Sequence, residues 1–208
     1  MTNYLIGLGN RLQDMLDSTR IADGLAPLLL RLYLAPVLLQ AGWNKLTHFE
    51  DTAAWFANPD WGLGLPLPEV MTALAAGTEF MGGILLILGL AVRWISIPLM
   101  VTMLVAAFAV HWENGWLAIA DGGSWLANER VAEAQERLAA AKSLLQEHGH
   151  YNWLTGRGSV VILNNGIEFA MTYFVMLLSL FFTGAGRWVS VDYFIANYYR
   201  TRADDGEL

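Results

Sequence analysis

The chain contains no cysteine. That excludes a disulfide framework, a thiolate nucleophile and a cysteine-ligated zinc or iron–sulfur centre within it. Charge is also scarce: 15% of the residues are Asp, Glu, Lys or Arg, and their formal sum is -7. With no basic stripe to neutralise phosphates, a nucleic-acid partner is excluded. Haem and flavin fingerprints are missing, so the electrons of any redox step must come from a bound cofactor or a partner. No internal repeat of hydropathy or motif is visible, and four helices in one protomer enclose little aqueous space. Both points argue against a transporter, although a homo-oligomer would relax the second.

What is abundant is apolar surface. Of the 208 residues 55% are hydrophobic, and the mean hydropathy is +0.40. Four apolar runs, at 25–43, 70–90, 94–112 and 160–184, each approach the ~20 residues with which a helix crosses ~30 Å of hydrocarbon. The expected fold is all-α: an integral membrane four-helix bundle, one domain over 1–208, with the lipid bilayer as its first partner. An amphipathic extramembrane helical insertion at 113–159 separates the third and fourth spans. In it Val131, Leu138 and Leu145 are spaced by seven, Glu133 precedes Arg137 by four, and Gly149 follows as a stop. That helix either packs over the bundle or docks a partner.

The opening segment "MTNYLIGLGNRLQDMLDSTR" lacks the apolar core and cleavage site of a secretory signal and is expected to stay in the mature protein. Leu5, Leu8, Leu12, Met15 and Leu16 recur in it at helical spacing, the mark of a short helix lying on a membrane surface. Four spans put both termini on one side, with Arg11, Arg20, Arg93, Arg187, Arg200 and Arg202. The positive-inside rule makes that side cytoplasmic, because the basic residues facing it lie mostly in the long insertion. Trp43, Trp94, Trp112 and Trp188 fall at span ends as interfacial anchors. The first outer loop, "THFEDTAAWFANPDWGLGLPLPEV", is rich in Gly, Pro and Trp and reads as a lid folded over the bundle mouth.

Three charges stand inside the apolar runs. On the second span Glu79 shares a face with Thr72, Ala75, Ala76, Gly82 and Gly83; on the fourth, Glu168 shares one with Asn165, Thr172, Ser179 and Thr183. Counting back from Trp43 puts Arg31 at about the level of both glutamates. A carboxylate in hydrocarbon costs about 2 to 4 kcal/mol, so it is either paired or used. Two readings stay open: an Arg31–Glu79 ion pair that fixes helix geometry, and a polar pocket in which Arg31, Glu79 and Glu168 exchange a proton with a membrane-soluble ligand. The histidines, His48, His111, His148 and His150, all fall on the outer side. His148 and His150 offer two imidazoles of the kind that suit copper or zinc, while His111 is the one nearest the polar interior.

These motifs resemble the DoxX family of small bacterial membrane proteins. The carrying residues are "LLLRLYLAPVLLQAGWNKL", "EFMGGILLILGLAVRW", His111, Glu168 and "GAGRWVSVDYF". The resemblance implies a protein of the bacterial inner membrane, associated with quinone-linked oxidoreduction or with membrane complexes that handle thiol and oxidative stress. It further implies Lys45, His111 and Arg187 as cofactor-binding residues. The insertion, with "NPDWGLGLP", "VHWENGW" and "VILNNGIEF", is closer to the HvfX-like branch. That branch is linked to maturation of ribosomally made copper-binding peptides, which implies a non-enzymatic accessory role beside a membrane or periplasmic partner. On the redox reading, by contrast, the protein is an enzyme or a subunit of one.

Overall fold

The computed structural model describes residues 2–204, with side chains described over 6–203, so the Leu5 side chain lies outside the described residues. All regular structure there is helical, apart from one isolated bridge between Ile119 and Leu163. Three helical stretches are long and apolar enough to cross a membrane: Leu25–Thr47, Pro68–Leu88 and Val92–Asn114. The chain divides into two compact units, one of Met1–Leu99 with Met176–Leu208 and one of Met100–Val175.

The first unit holds α1 (Thr2–Ser18), a 3-10 turn (Thr19–Ala22), α2 (Leu25–Thr47), α3 (Phe49–Ala57) and α4 (Pro68–Leu88). It also holds the start of α5 (Val92–Val105), the end of α8 (Glu168–Thr183) and α9 (Val191–Asp204). On α2 the buried residues are Pro27, Arg31, Leu34, Ala35, Leu38 and Gly42, three or four apart along one face. On α4 they are Thr72, Ala76, Glu79, Gly82, Gly83 and Leu86. The two faces meet antiparallel at close range. A Cβ on Gly42 would lie 2.5 Å from the Phe80 amide nitrogen, and one on Gly83 would lie 2.6 Å from Leu39 Cγ. Close approach of this kind replaces the hydrophobic drive that is missing between helices in lipid. Pro68 starts α4, and Gly89, in the left-handed region at φ 63°, ends it.

The first outer loop is more regular than its Gly and Pro content implied, because it contains α3. Ala53 and Phe56 of α3 are buried. The chain beyond doubles back on α3: Leu63 N–H donates to Trp55 O and Leu65 N–H to Phe56 O, while Trp55 Nε1–H donates to Trp61 O. Asn58 Oδ1 accepts from the amides of Asp60 and Trp61, which closes the turn.

The second unit continues α5 through a π-helical turn (Ala106–His111) and a 3-10 turn (Trp112–Asn114), followed by α6 (Glu129–His148), α7 (Tyr151–Leu154) and the start of α8. The spacing of seven holds on α6, where Val131 and Leu138 are buried and Leu145 is half-buried. Asn128 caps its N-terminus through the Val131 amide, Glu133 and Arg137 pair at 3.0 Å, and Gly149 follows its end.

The fourth apolar run is not a helix throughout. Residues 162–168 instead run against 115–120: Ala120 N–H donates to Ile162 O, Asn164 N–H to Ala118 O and Glu168 N–H to Trp116 O. A β-branched run, Val160 to Ile162, followed by Asn-Asn-Gly suits an extended segment and a turn, and Asn165 sits at φ 58°. Helix α8 therefore begins at Glu168 and has 16 residues, about 24 Å of rise.

Candidate functional site

The buried face of α2 carries two cations about four turns apart, Arg31 and Lys45, roughly 21 Å by the helical rise. Their partners differ. The antiparallel register sets Gly42 against Phe80 and Arg31 against Gly89, so Glu79 faces Lys45 and not Arg31. The Lys45 ammonium meets Glu79 Oε2 at 2.6 Å. The Arg31–Glu79 pair is thus overturned, and the reason lies in helix length. Because α2 extends to Thr47, Arg31 lies about 24 Å from that end, whereas Glu79 lies about 16 Å from the start of α4.

Around Lys45 and Glu79 the surroundings are graded. The Glu79 side chain is 5% exposed and the Lys45 side chain 26%, so the acid is sealed and the base reachable. The lysine stem supplies that reach, since its charge rides on four flexible carbons. Trp43 and Phe80 form an aromatic wall alongside, with ring centroids 5.9 Å apart. Two turns from Glu79 on the same face, the buried Thr72 hydroxyl finds no hydrogen-bond partner among the described residues. Thr72 is fully buried, so this open hydroxyl is a cost carried within the packed face.

Around Arg31 the packing is tight: two guanidinium nitrogens are bonded, while Nε is buried without a partner among the described residues. The side chain is fully buried; one guanidinium nitrogen donates to Ala185 O and another to Val189 O, both at 2.7 Å. Those carbonyls belong to the loop after α8, where Gly184, Gly186 and Val189 all have positive φ. For Val189, a β-branched residue at φ 47°, that conformation persists only when its surroundings impose it. Asp192 completes the knot. Its carboxylate accepts from Ala91 N–H at 2.7 Å and Val92 N–H at 3.0 Å, capping α5, while its own amide donates to Gly89 O. Arg187 pairs with Asp23 at 2.9 Å and donates to the carbonyls of Arg20 and Ile21. Both arginines therefore staple the chain: Arg31 is not beside Glu79, and Arg187 is spent on the 3-10 turn.

In the second unit Glu168 opens α8, where its carboxylate accepts from Ala118 N–H at 2.9 Å. The Thr172 and Thr183 hydroxyls of its stripe return to carbonyls one turn back. His111 ends the π-helical turn, and its Nδ1 is buried without a partner among the described residues. Asn164, unremarked in the sequence, is the hub of this unit. It is buried, donates to the carbonyls of Asn114 and Leu117, and accepts from Arg130 Nε, so that α6 is tied to the extended pair. The Asn-Asn-Gly turn was the signal available for it. His148 is exposed, 3.6 Å from Glu147, and His150 lines an open hollow of 590 Å³ with Tyr151, Asn152 and Trp153. No group of three or more metal-ligating side chains occurs among the described residues.

With this geometry in view, comparison with known proteins adds one match. Residues 26–112 match the DoxX family model. The DoxX segment runs from the start of α2 through α4 to the end of the π-helical turn, so it contains Arg31, Lys45, Glu79 and His111 and excludes α6 and Glu168. No curated protein and no solved structure gives a significant match.

Proposed function

We propose that the chain is a DoxX-family protein of the bacterial inner membrane, a four-helix, multi-pass bundle with both termini in the cytoplasm, and that its Lys45–Glu79 pair serves a quinone. The observation that carries this reading is the graded pair: a sealed carboxylate holding an ammonium that is itself reachable. Reduction of a quinone takes up two electrons and two protons. A membrane or periplasmic redox partner supplies the electrons, since the chain has no cysteine to carry them.

The chain's own task is the proton. Lys45 Nζ donates to a carbonyl oxygen of the quinone, and Glu79 fixes its position and takes up the charge change. The α3 segment with residues 58–67 acts as the lid. A titration with a soluble quinone analogue, read by tryptophan quenching against a lipid-only control, tests it. Saturable micromolar binding by the wild type that is lost in Glu79→Gln supports the site, and no binding by the wild type refutes it.

A second reading follows the HvfX-like branch: a non-enzymatic accessory in copper-binding peptide maturation, with α6 as the docking element. The exposure of both His148 and His150 favours it. Copper binding that disappears in the His148→Ala, His150→Ala double variant supports it, and binding unchanged in that variant removes these residues from it.

A further inference from the structure

Two helices of the first unit turn apolar faces outward. On α1, Leu8, Leu12, Met15 and Leu16 fall within an arc of roughly 100°, and all four are exposed. The opposite side carries Asn10, Gln13, Asp14 and Asp17. On α9, Phe194, Ile195, Tyr198 and Tyr199 are likewise exposed. Arg202 lies over the Tyr198 ring at 4.7 Å, its charge reaching past the aromatic face.

Both helices are fastened to the same end of the membrane-crossing helices. The 3-10 turn that joins α1 to α2 is clipped by Arg187, whose guanidinium holds Asp23 and the carbonyls of Arg20 and Ile21. Helix α9 begins directly after Ser190, whose hydroxyl bonds Gly89 O and caps the new helix at the Tyr193 amide. Neither helix has the slack to leave that level. Between α1 and the first turns of α2, Ile21, Leu25 and Leu29 are exposed apolar residues as well. With α2 long and apolar enough to span a bilayer, lipid is the cover that these neighbouring apolar residues and α1 would share.

We propose that α1 and α9 form an interfacial collar at the Arg31 end, lying in the bilayer surface with their apolar faces among the acyl chains and their polar faces in water. The occupant of both faces is lipid. Leucine and methionine supply buried area on α1, and tyrosine and arginine supply the boundary chemistry on α9. The proposal rests on α2 spanning the membrane and is independent of any quinone.

The absence of cysteine makes the test direct. Single nitroxide labels are placed by Leu12→Cys and Tyr198→Cys on the apolar faces and by Gln13→Cys and Ala196→Cys on the polar faces of the full chain. The protein is reconstituted in phosphatidylcholine/phosphatidylglycerol vesicles, and each label is read by power saturation with oxygen and with a water-soluble nickel complex. The expected result is loss of nickel access with high oxygen access at residues 12 and 198, and the reverse at 13 and 196. Equal nickel access on both faces would place the helices in water and overturn the proposal. Loss of access to both relaxants at 12 and 198 would mean that protein covers them, and would overturn it as well.

Discussion

Arg31 and Lys45 sit on the same face of the same helix, and their surroundings are opposites. Arg31 is fully buried and bonded to two backbone carbonyls; Lys45 is a quarter exposed and bonded to a buried acid. A guanidinium that satisfies carbonyls supplies the donors that secondary structure would otherwise give to the loop after α8. An ammonium on a buried carboxylate is a stored charge pair, whose attraction is set against the desolvation of both ions. The lesson is that a cation within an apolar run is classified by the atoms it meets, and these are set by helix register.

Mutation can break that contrast, beginning at the Arg31 end. Arg31→Met leaves the carbonyls of Ala185 and Val189 without donors, and we expect a loss of about 3 to 5 kcal/mol, read as a large drop in the unfolding midpoint in detergent. An unchanged midpoint would abolish the distinction. Next comes Glu79→Gln, which should cost about 1 to 3 kcal/mol, leave the protein folded and remove quinone binding. In a double-mutant cycle Lys45→Met with Glu79→Leu should be less harmful than the sum of the single changes, by about 1 to 3 kcal/mol; strict additivity would show that the pair is not coupled. Asp192→Asn weakens the cap on α5 and should cost about 1 kcal/mol, visible as faster amide exchange at Ala91 and Val92. Least affected is the exposed Glu133–Arg137 pair, where Glu133→Gln should shift stability by no more than ~0.5 kcal/mol. A larger shift there would mean that α6 is coupled more tightly than its exposure implies.

Local rules read much of this molecule from its sequence. The membrane-crossing helices followed from apolar length, α6 followed from the recurrence of Val131, Leu138 and Leu145, and the isolation of Glu79 in an apolar run marked the one charged site that the structure pairs inside the α2–α4 contact. Register lay beyond those rules. Four more residues at the end of α2 moved Arg31 away from Glu79, and no periodicity contains that information. Val160 to Leu163 failed for a related reason, since a short apolar run reads alike as strand or helix and the partner segment at 115–120 decided it. The staples of Arg31 and Arg187 bind backbone carbonyls, which carry no signature in the sequence.

The two cations also differ in when their partners exist. Lys45 and Glu79 are 34 positions apart, while Arg31 and the Ala185 carbonyl are 154 apart. At ribosomal rates of about 5 to 20 residues per second, roughly 8 to 30 seconds separate synthesis of Arg31 from that of its acceptors. During that interval the Arg31 guanidinium lacks the two carbonyls that it bonds in the finished chain. The contacts of Arg31 can close only once residue 189 has been made, which turns Arg31 into a timer for assembly.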